Sequence, residues 1–223
     1  MSVARSLGAF VWSFLLLTGC ATTRGVLDVR VPAGTNASSG PAVRIERVTD
    51  RRVFEINPRQ ANIPSLKHDE ISDKAITSRA IARKRGGFGK AMGDILLPEG
   101  RTVMMLVEEA LARSLQEAGY RVVGTQDREA TAAIPVEADI EQFWAYFRPG
   151  FAQVAVEFET RVRLTSPVTA LQTADPLKGF SRVTGMAATS STWLEAMNKG
   201  LEDFVHNSRD YLKSKSAAAP ASR

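Results

Sequence analysis

Residues 154–164, VAVEFETRVRL, alternate: Val154, Val156, Phe158, Val162 and Leu164 fall on one side, and Ala155, Glu157, Glu159, Arg161 and Arg163 on the other. A period of two puts successive side chains on opposite faces of a strand. The stretch is therefore committed to a sheet with one buried and one wet face, as antiparallel sheets allow. The segment upstream, PVEADIEQFWAYF, reads as its hairpin partner. Arg148-Pro149-Gly150 between them sets proline and glycine where a type II turn takes them.

The other elements fall around this hairpin. Val103, Leu106, Val107, Ala110, Leu111, Leu115 and Ala118 recur at three- and four-residue steps, the stripe of an amphipathic helix, with Gly119 placed to end it. Tyr120–Val123 reads as a short strand, and KGFSRVTGMAAT as another. A last helix opens at a capping box, Thr192-x-x-Glu195, and carries Trp193, Leu194, Met197, Leu201, Phe204, Val205 and Leu212. VRIERV (43–48) reads as the first strand. The result is one α+β domain over 43–213, of order β-α-β-β-β-α, an antiparallel sheet with helices packed on one face. Residues 50–100 show no strand pattern and read as a long basic, irregular insertion; within it, 73–85 (DKAITSRAIARKR) is predicted as a short helix capped by Asp73. Residues 214–223 are predicted as a disordered tail.

The start of the chain sets its expected address. Arg5 precedes an uncharged apolar run, Leu7–Leu17, too short for the roughly 20 residues of a membrane span. It reads as a signal peptide, 1–19. Leu17-Thr18-Gly19-Cys20 matches the bacterial lipobox, which makes Cys20 the expected lipid-modified first residue. Ala21, rather than an aspartate, follows it, and that sorting pattern implies the periplasmic face of the outer membrane. Residues 20–42, small and polar with Gly34, Gly40 and Pro41, read as a flexible tether. Cys20 is the only cysteine, so disulfides, thiolate catalysis and zinc–thiolate sites are not expected.

Charge is concentrated in one place. Lys74, Arg79, Arg83, Lys84, Arg85 and Lys90 lie between Lys74 and Gly93 with no acidic residue among them. Loss of Arg5 takes the chain from +5 to +4, and six of these charges sit in that segment, leaving −2 for the remainder. An envelope protein with such a patch suits anionic lipid head groups, peptidoglycan carboxylates or an acidic envelope protein, and not nucleic acid. A solvated charge run is the plain alternative.

The glycines beside these cations do not make a nucleotide site. Gly89-Lys90 is followed by Ala91, without the hydroxyl that a Walker loop uses for magnesium, and Gly87-x-Gly89 has its next glycine at Gly93, one residue too far for a dinucleotide fingerprint. His68, in KHDE, reads as an exposed loop residue, and His206 as one at the core boundary. No metal site, cofactor or catalytic constellation is expected. Phe143, Trp144, Tyr146, Phe147 and Phe151 crowd five of the chain's sixteen aromatics into nine positions around the hairpin turn. At an exposed tip they suit a partner or a membrane interface; packed across strands they are core.

The lipobox, the helix EEALARSLQEAGYRVV, the hairpin EADIEQFWAYF/FAQVAVEFETRVRL and the final helix together resemble the YajG-type bacterial lipoproteins. The resemblance implies fold and location and no catalytic residue. The expected function is a non-enzymatic, acyl-anchored envelope module that binds or scaffolds another component. Two alternatives stay open: an accessory, ring-forming subunit of an envelope transport or secretion machine, and a peptidoglycan-acting enzyme or its subunit. Sequence leaves the oligomeric state undetermined.

Overall fold

The computed structural model describes residues 24–36, 39–86 and 90–218. Among these, one sheet holds β1 (Gly25–Val26), β2 (Ala42–Asp50), β3 (Ala80–Arg85), β4 (Ala91–Leu96), β5 (Arg121–Val122), β6 (Ile134–Pro149), β7 (Val154–Thr165) and β8 (Leu177–Gly185). Three helices accompany it: α1 (Lys74–Thr77), α2 (Val103–Glu117) and α3 (Ser190–Ala218).

β6 organises the sheet. One edge of it pairs antiparallel with β7, which pairs antiparallel with β8. The other edge is shared by two parallel partners: β2 along Ile134–Ile140, and β3 at Ala145 and Tyr146. β4 folds back antiparallel on β3, β1 runs parallel to β4, and β5 runs parallel to β2. The domain is α+β as expected, but its sheet is mixed, with antiparallel pairing in the majority. Hairpin signals in a sequence report only strands adjacent along the chain. β2 and β6 are joined by a long crossover that includes α2, and such a connection leaves no local mark.

The sheet has two covered faces. On one, α2 and α3 bury Val136, Ala138, Ile140, Phe143 and Ala145 of β6 with Val156, Phe158 and Val162 of β7, together with Leu106, Leu111, Trp193, Met197 and Phe204 of the helices. A register irregularity between Ile140 and Gln142 shifts β6 by one residue, so the helix-facing set changes from even to odd positions. A bulge of this kind flips the face of every later side chain. Trp144 and Tyr146 therefore point to the other face. There, residues of the 51–79 segment cover them: Leu66 is fully buried against them, with Phe54, Ala61, Ile71 and Ile76 around it.

Several expected boundaries move. The 50–100 stretch is not an irregular insertion, since it supplies α1, β3 and β4 and the lid over the second face. Asp73 does cap a helix, accepting from the Ala75 amide at 2.8 Å, but that helix is one turn long. Residues 80–83 are buried, and pairing with β4 and β6 overrides the helical preference of Ala, Arg and Lys. Residues 24–36 are not a free tether: β1 pairs with β4, the Leu27 amide donates to the Leu96 carbonyl at 3.0 Å, and Val29 is fully buried. Cys20 and the predicted signal peptide lie outside the described residues.

The last helix begins at Ser190, with the Thr189 hydroxyl accepting from the Thr192 amide, so Thr192-x-x-Glu195 lies inside it and not at its cap. It continues to Ala218, into the expected tail. The hairpin link is the four residues Gly150–Gln153, beyond the end of β6 at Pro149. Gly150 is not in the left-handed region, so the type II turn does not form. Its glycine is needed for space, because a Cβ there would lie 2.3 Å from the Gln153 carbonyl oxygen.

Candidate functional site

β3, β6 and β8 run toward one end of the sheet, and β4 and β7 start from it. This strand-tip end carries the β3–β4 connection, the 150–153 loop and the residues after β8. Gly86 donates its amide to the Lys90 carbonyl at 2.8 Å across the first of these. Gly87, Phe88 and Gly89 lie outside the described residues. Exposed apolar side chains stand at all three places: Met92, Phe151 and Met186. Phe151 is fully exposed.

An ion-pair network stiffens the hairpin just behind the tip. Glu157, expected on the wet face, is buried, and its two oxygens accept from Arg148 Nε at 2.9 Å and from an Arg182 terminal nitrogen at 2.8 Å. The Arg148 guanidinium also lies 5.2 Å from the centre of the Tyr146 ring. Tyr146 donates its hydroxyl to Glu159; burial first, and then this hydrogen bond, push the phenol well above its usual range. One carboxylate thus fixes two arginines whose outer parts remain in solvent.

The basic run is distributed by the β3–β4 hairpin rather than presented as a loop. Arg83 is buried opposite Asp94, 3.4 Å away. Asp94 also meets Arg24 at 3.4 Å, and Arg24 pairs with Glu70 at 2.8 Å. Arg79 donates to the Leu97 carbonyl from two nitrogens, at 3.0 and 2.8 Å. Arg85 donates to Ser65 Oγ at 3.1 Å; burial, and then the neighbouring charge of Arg83, lower its guanidinium from the ordinary value. Lys84 is half-buried, while Lys74 on α1 and Lys90 at the tip are exposed. The six cations therefore make no single patch: Arg79 and Arg83 are structural, Lys74 lies away from the tip, and Lys84, Arg85 and Lys90 are near it.

The aromatic cluster divides in the same way. Phe143 meets Phe158 edge to face at 4.9 Å on the helix side, and Phe147 packs against the same core. Trp144 meets Phe54 edge to face at 5.9 Å on the other side, where Tyr146 is also buried. Phe151 alone of the five is available to a partner. Alternation along β6 divides its four aromatics, Phe143 and Phe147 to one face and Trp144 and Tyr146 to the other, and Phe151 lies beyond the strand's end.

Sequence reading missed two features. Arg52 has a fully buried side chain that pairs with Asp50 and donates to the carbonyls of Thr77, Ala80 and Phe143, tying the 51–79 segment to the sheet. Nothing in DRRV marks it. The second is a groove of about 720 Å³ between the 28–34 segment and α2. Its charged groups are paired with one another: Arg30 with Asp28 at 2.6 Å, and Arg101 with Glu109 at 2.6 and 2.9 Å. The groove has no local sequence signal, because its 28–34 wall is held in place through the pairing of β1 with β4.

His68 is exposed, and His206 is exposed rather than at the core boundary, 3.0 Å from Glu202. Among the described residues no group of three His, Cys, Asp or Glu side chains is placed to hold a metal ion, and no helix is long and apolar enough to cross a membrane.

No family model and no curated protein matches the chain. Among solved structures it is similar to a Xanthomonas campestris protein described by the family designation DUF330, at 10% identity and a TM-score of 0.42, covering 88% of this chain and 98% of that one. A second structure, titled only as an uncharacterized protein, is 8% identical with a TM-score of 0.38, covering 86% and 98%. At such scores the likeness fixes no property of this chain.

Proposed function

We propose that the chain is an acyl-anchored envelope lipoprotein at the periplasmic face of the outer membrane, a non-enzymatic module that binds or scaffolds another envelope component. The observation that carries this reading is Leu17-Thr18-Gly19-Cys20 behind an uncharged apolar run, with Cys20 four positions before Arg24, whose guanidinium meets Asp94 of β4. Acyl chains on Cys20 make a protein anchored rather than spanning. The resemblance to YajG-type lipoproteins points the same way.

The binding-module part draws on how the charged groups are used. Asp28, Glu109, Glu157 and Glu202 are each engaged by an arginine, as in a rigid scaffold rather than a site poised for proton transfer. The test is expression of the full chain in a bacterium with two membranes. The wild type is expected to carry an acylated Cys20 by mass spectrometry and to fractionate with the outer membrane, and Cys20→Ser to do neither. A wild-type protein without acyl mass sinks the reading. Turnover of muropeptides by the purified protein refutes its non-enzymatic part.

A further inference from the structure

We infer that the strand-tip end of the sheet docks onto an anionic lipid surface, with Phe151, Met92 and Met186 entering the head-group region and Lys90, Arg148 and Arg182 meeting lipid phosphates. The inference rests on the acyl-anchor reading above and adds which end of the domain faces the membrane.

The first support is composition of the end itself. Met92 is 49% exposed, Met186 83% and Phe151 fully, and they come from three separate places, the start of β4, the β6–β7 loop and the residue after β8. Single exposed apolar residues are ordinary on a protein surface. These three, however, stand in a row across the sheet end: β4, the β6–β7 loop and the residue after β8 are spread over four strand spacings, about 19 Å at ~4.8 Å each. Cations alternate with them. Lys90 is exposed, and the Arg148 and Arg182 side chains are 52% and 56% exposed while Arg148 Nε and one terminal nitrogen of Arg182 hold the buried Glu157. Apolar tips with cations set just behind them match a head-group layer, apolar below and anionic above.

The second support is reach. β1 runs parallel to β4, with Gly25 opposite Ile95, so the chain upstream of Arg24 comes from the direction of the tip. Arg24 contacts Asp94, which is level with Arg83 and hence with Tyr146 on β6. From that level the tip at Pro149 is three residues away, about 10 Å, and the far end of β6 at Ile134 is twelve residues away, about 40 Å. The four residue steps from Cys20 to Arg24 extend at most about 14 Å. An anchor on Cys20 thus brings the tip to the bilayer and cannot bring the opposite end.

The test uses the full, acylated protein. With Cys20 acylated and no other cysteine in the chain, Phe151→Cys supplies a single free thiol for an environment-sensitive fluorophore. Thr165→Cys, exposed at the other end of β7, serves as the control. Both are reconstituted in vesicles of phosphatidylethanolamine and phosphatidylglycerol. The label at 151 is expected to shift to the blue and to lose most of its quenching by aqueous iodide, less so in phosphatidylcholine vesicles or high salt, while the label at 165 stays as accessible as in detergent. Equal iodide access at both positions overturns the docking with the anchor intact. Labelling at Cys20 itself, with no flotation alongside vesicles, overturns the anchor reading and the docking together. Protection of 151 in cells but not on vesicles assigns the end to a protein partner and also overturns the lipid proposal.

Discussion

Gly179 on β8 and Gly200 on α3 meet where the long helix crosses the sheet, and substituting them tests the central packing of the domain. A Cβ on Gly200 would lie 2.3 Å from Phe158 Cδ1 and 3.2 Å from Ser181 Oγ. One on Gly179 would lie 2.5 Å from the Gly200 carbonyl oxygen and 2.8 Å from the Phe204 amide nitrogen. Neither glycine occupies the left-handed region, so what each position requires is room. Two effects oppose each other in Gly200→Ala. Alanine gains about 1 kcal/mol of helix propensity over glycine. Overpacking costs about 1–3 kcal/mol. The Phe158 ring is fully buried and held edge to face by Phe143, so it cannot swing aside, and the steric cost wins. A net loss of up to about 2 kcal/mol is expected. In Gly179→Ala the obstructing atoms are backbone, which has no rotamer to change, and the loss should reach about 3 kcal/mol, a fall in Tm of about 6–12 °C for a chain of this size. Denaturant unfolding followed by tryptophan fluorescence, to which the buried Trp144 and Trp193 contribute, measures both. Phe158→Leu should couple to Gly200→Ala, recovering part of its cost, and leave Gly179→Ala unrelieved. A Gly200→Ala protein more stable than wild type would mean that propensity prevails and that α3 does not sit on β7 and β8 as described.

Three further outcomes are expected. Asp94→Ala strands the buried Arg83 and should cost about 3–5 kcal/mol in urea unfolding, whereas Arg83→Met with Asp94→Leu should recover most of it; a double variant as damaged as the single refutes the pairing. The hydrogen bond from Arg113 holds the Glu202 carboxyl below its ordinary 4.5, so this group's contribution to stability is complete above that pH and is lost as the pH falls through the lower folded value. Arg113→Gln should therefore flatten the loss of stability between neutral pH and pH ~3, and an unchanged acid limb of the urea midpoint counts against the pair. Val29→Asp should release residues 24–36, because a fully buried valine contributes about 1.5–3 kcal/mol, making tryptic cleavage after Arg30 about 10–100 times faster; an unchanged rate means the segment is held by something else.

How far the sequence discloses this fold depends on how far apart the interacting residues are. The β6–β7 hairpin, α2 with Gly119 at φ 97°, and β8 were all visible, because each rests on a period or a turn within one local window. The segment from 50 to 100 was not. Its strand β3 is covered on both sides and so carries no alternation, and AIARKR scores as helix on propensity alone. What makes it a strand is Ala82 and Arg83 lying beside Ala145 and Tyr146, more than sixty residues on. The aromatics of β6 were legible as a dense cluster and illegible as two half-clusters, because the irregularity at Ile140/Gln142 changes which residues face the helices.

The cations show the same limit in electrostatic terms. Lys74 to Lys90 reads as a surface because unpaired charge is expensive to bury. That rule holds only when no carboxylate stands opposite, and the β3–β4 register puts Asp94 opposite Arg83. A trace of this is present in MGDILL, where one carboxylate is followed by three apolar residues, but only the hairpin gives it meaning. Asp94 then serves a second cation from the next strand. Arg24, just ahead of β1, meets it and also meets Glu70 of the lid over the second face, so the chain is clamped at the residue from which the predicted anchor segment departs. Without that clamp the reach to Cys20 would be measured from Gly25, where β1 meets β4, and would lengthen from about 14 to about 18 Å. Asp94, which removes Arg83 from the basic patch, thus also holds Arg24, the residue from which the proposed anchor's reach is measured.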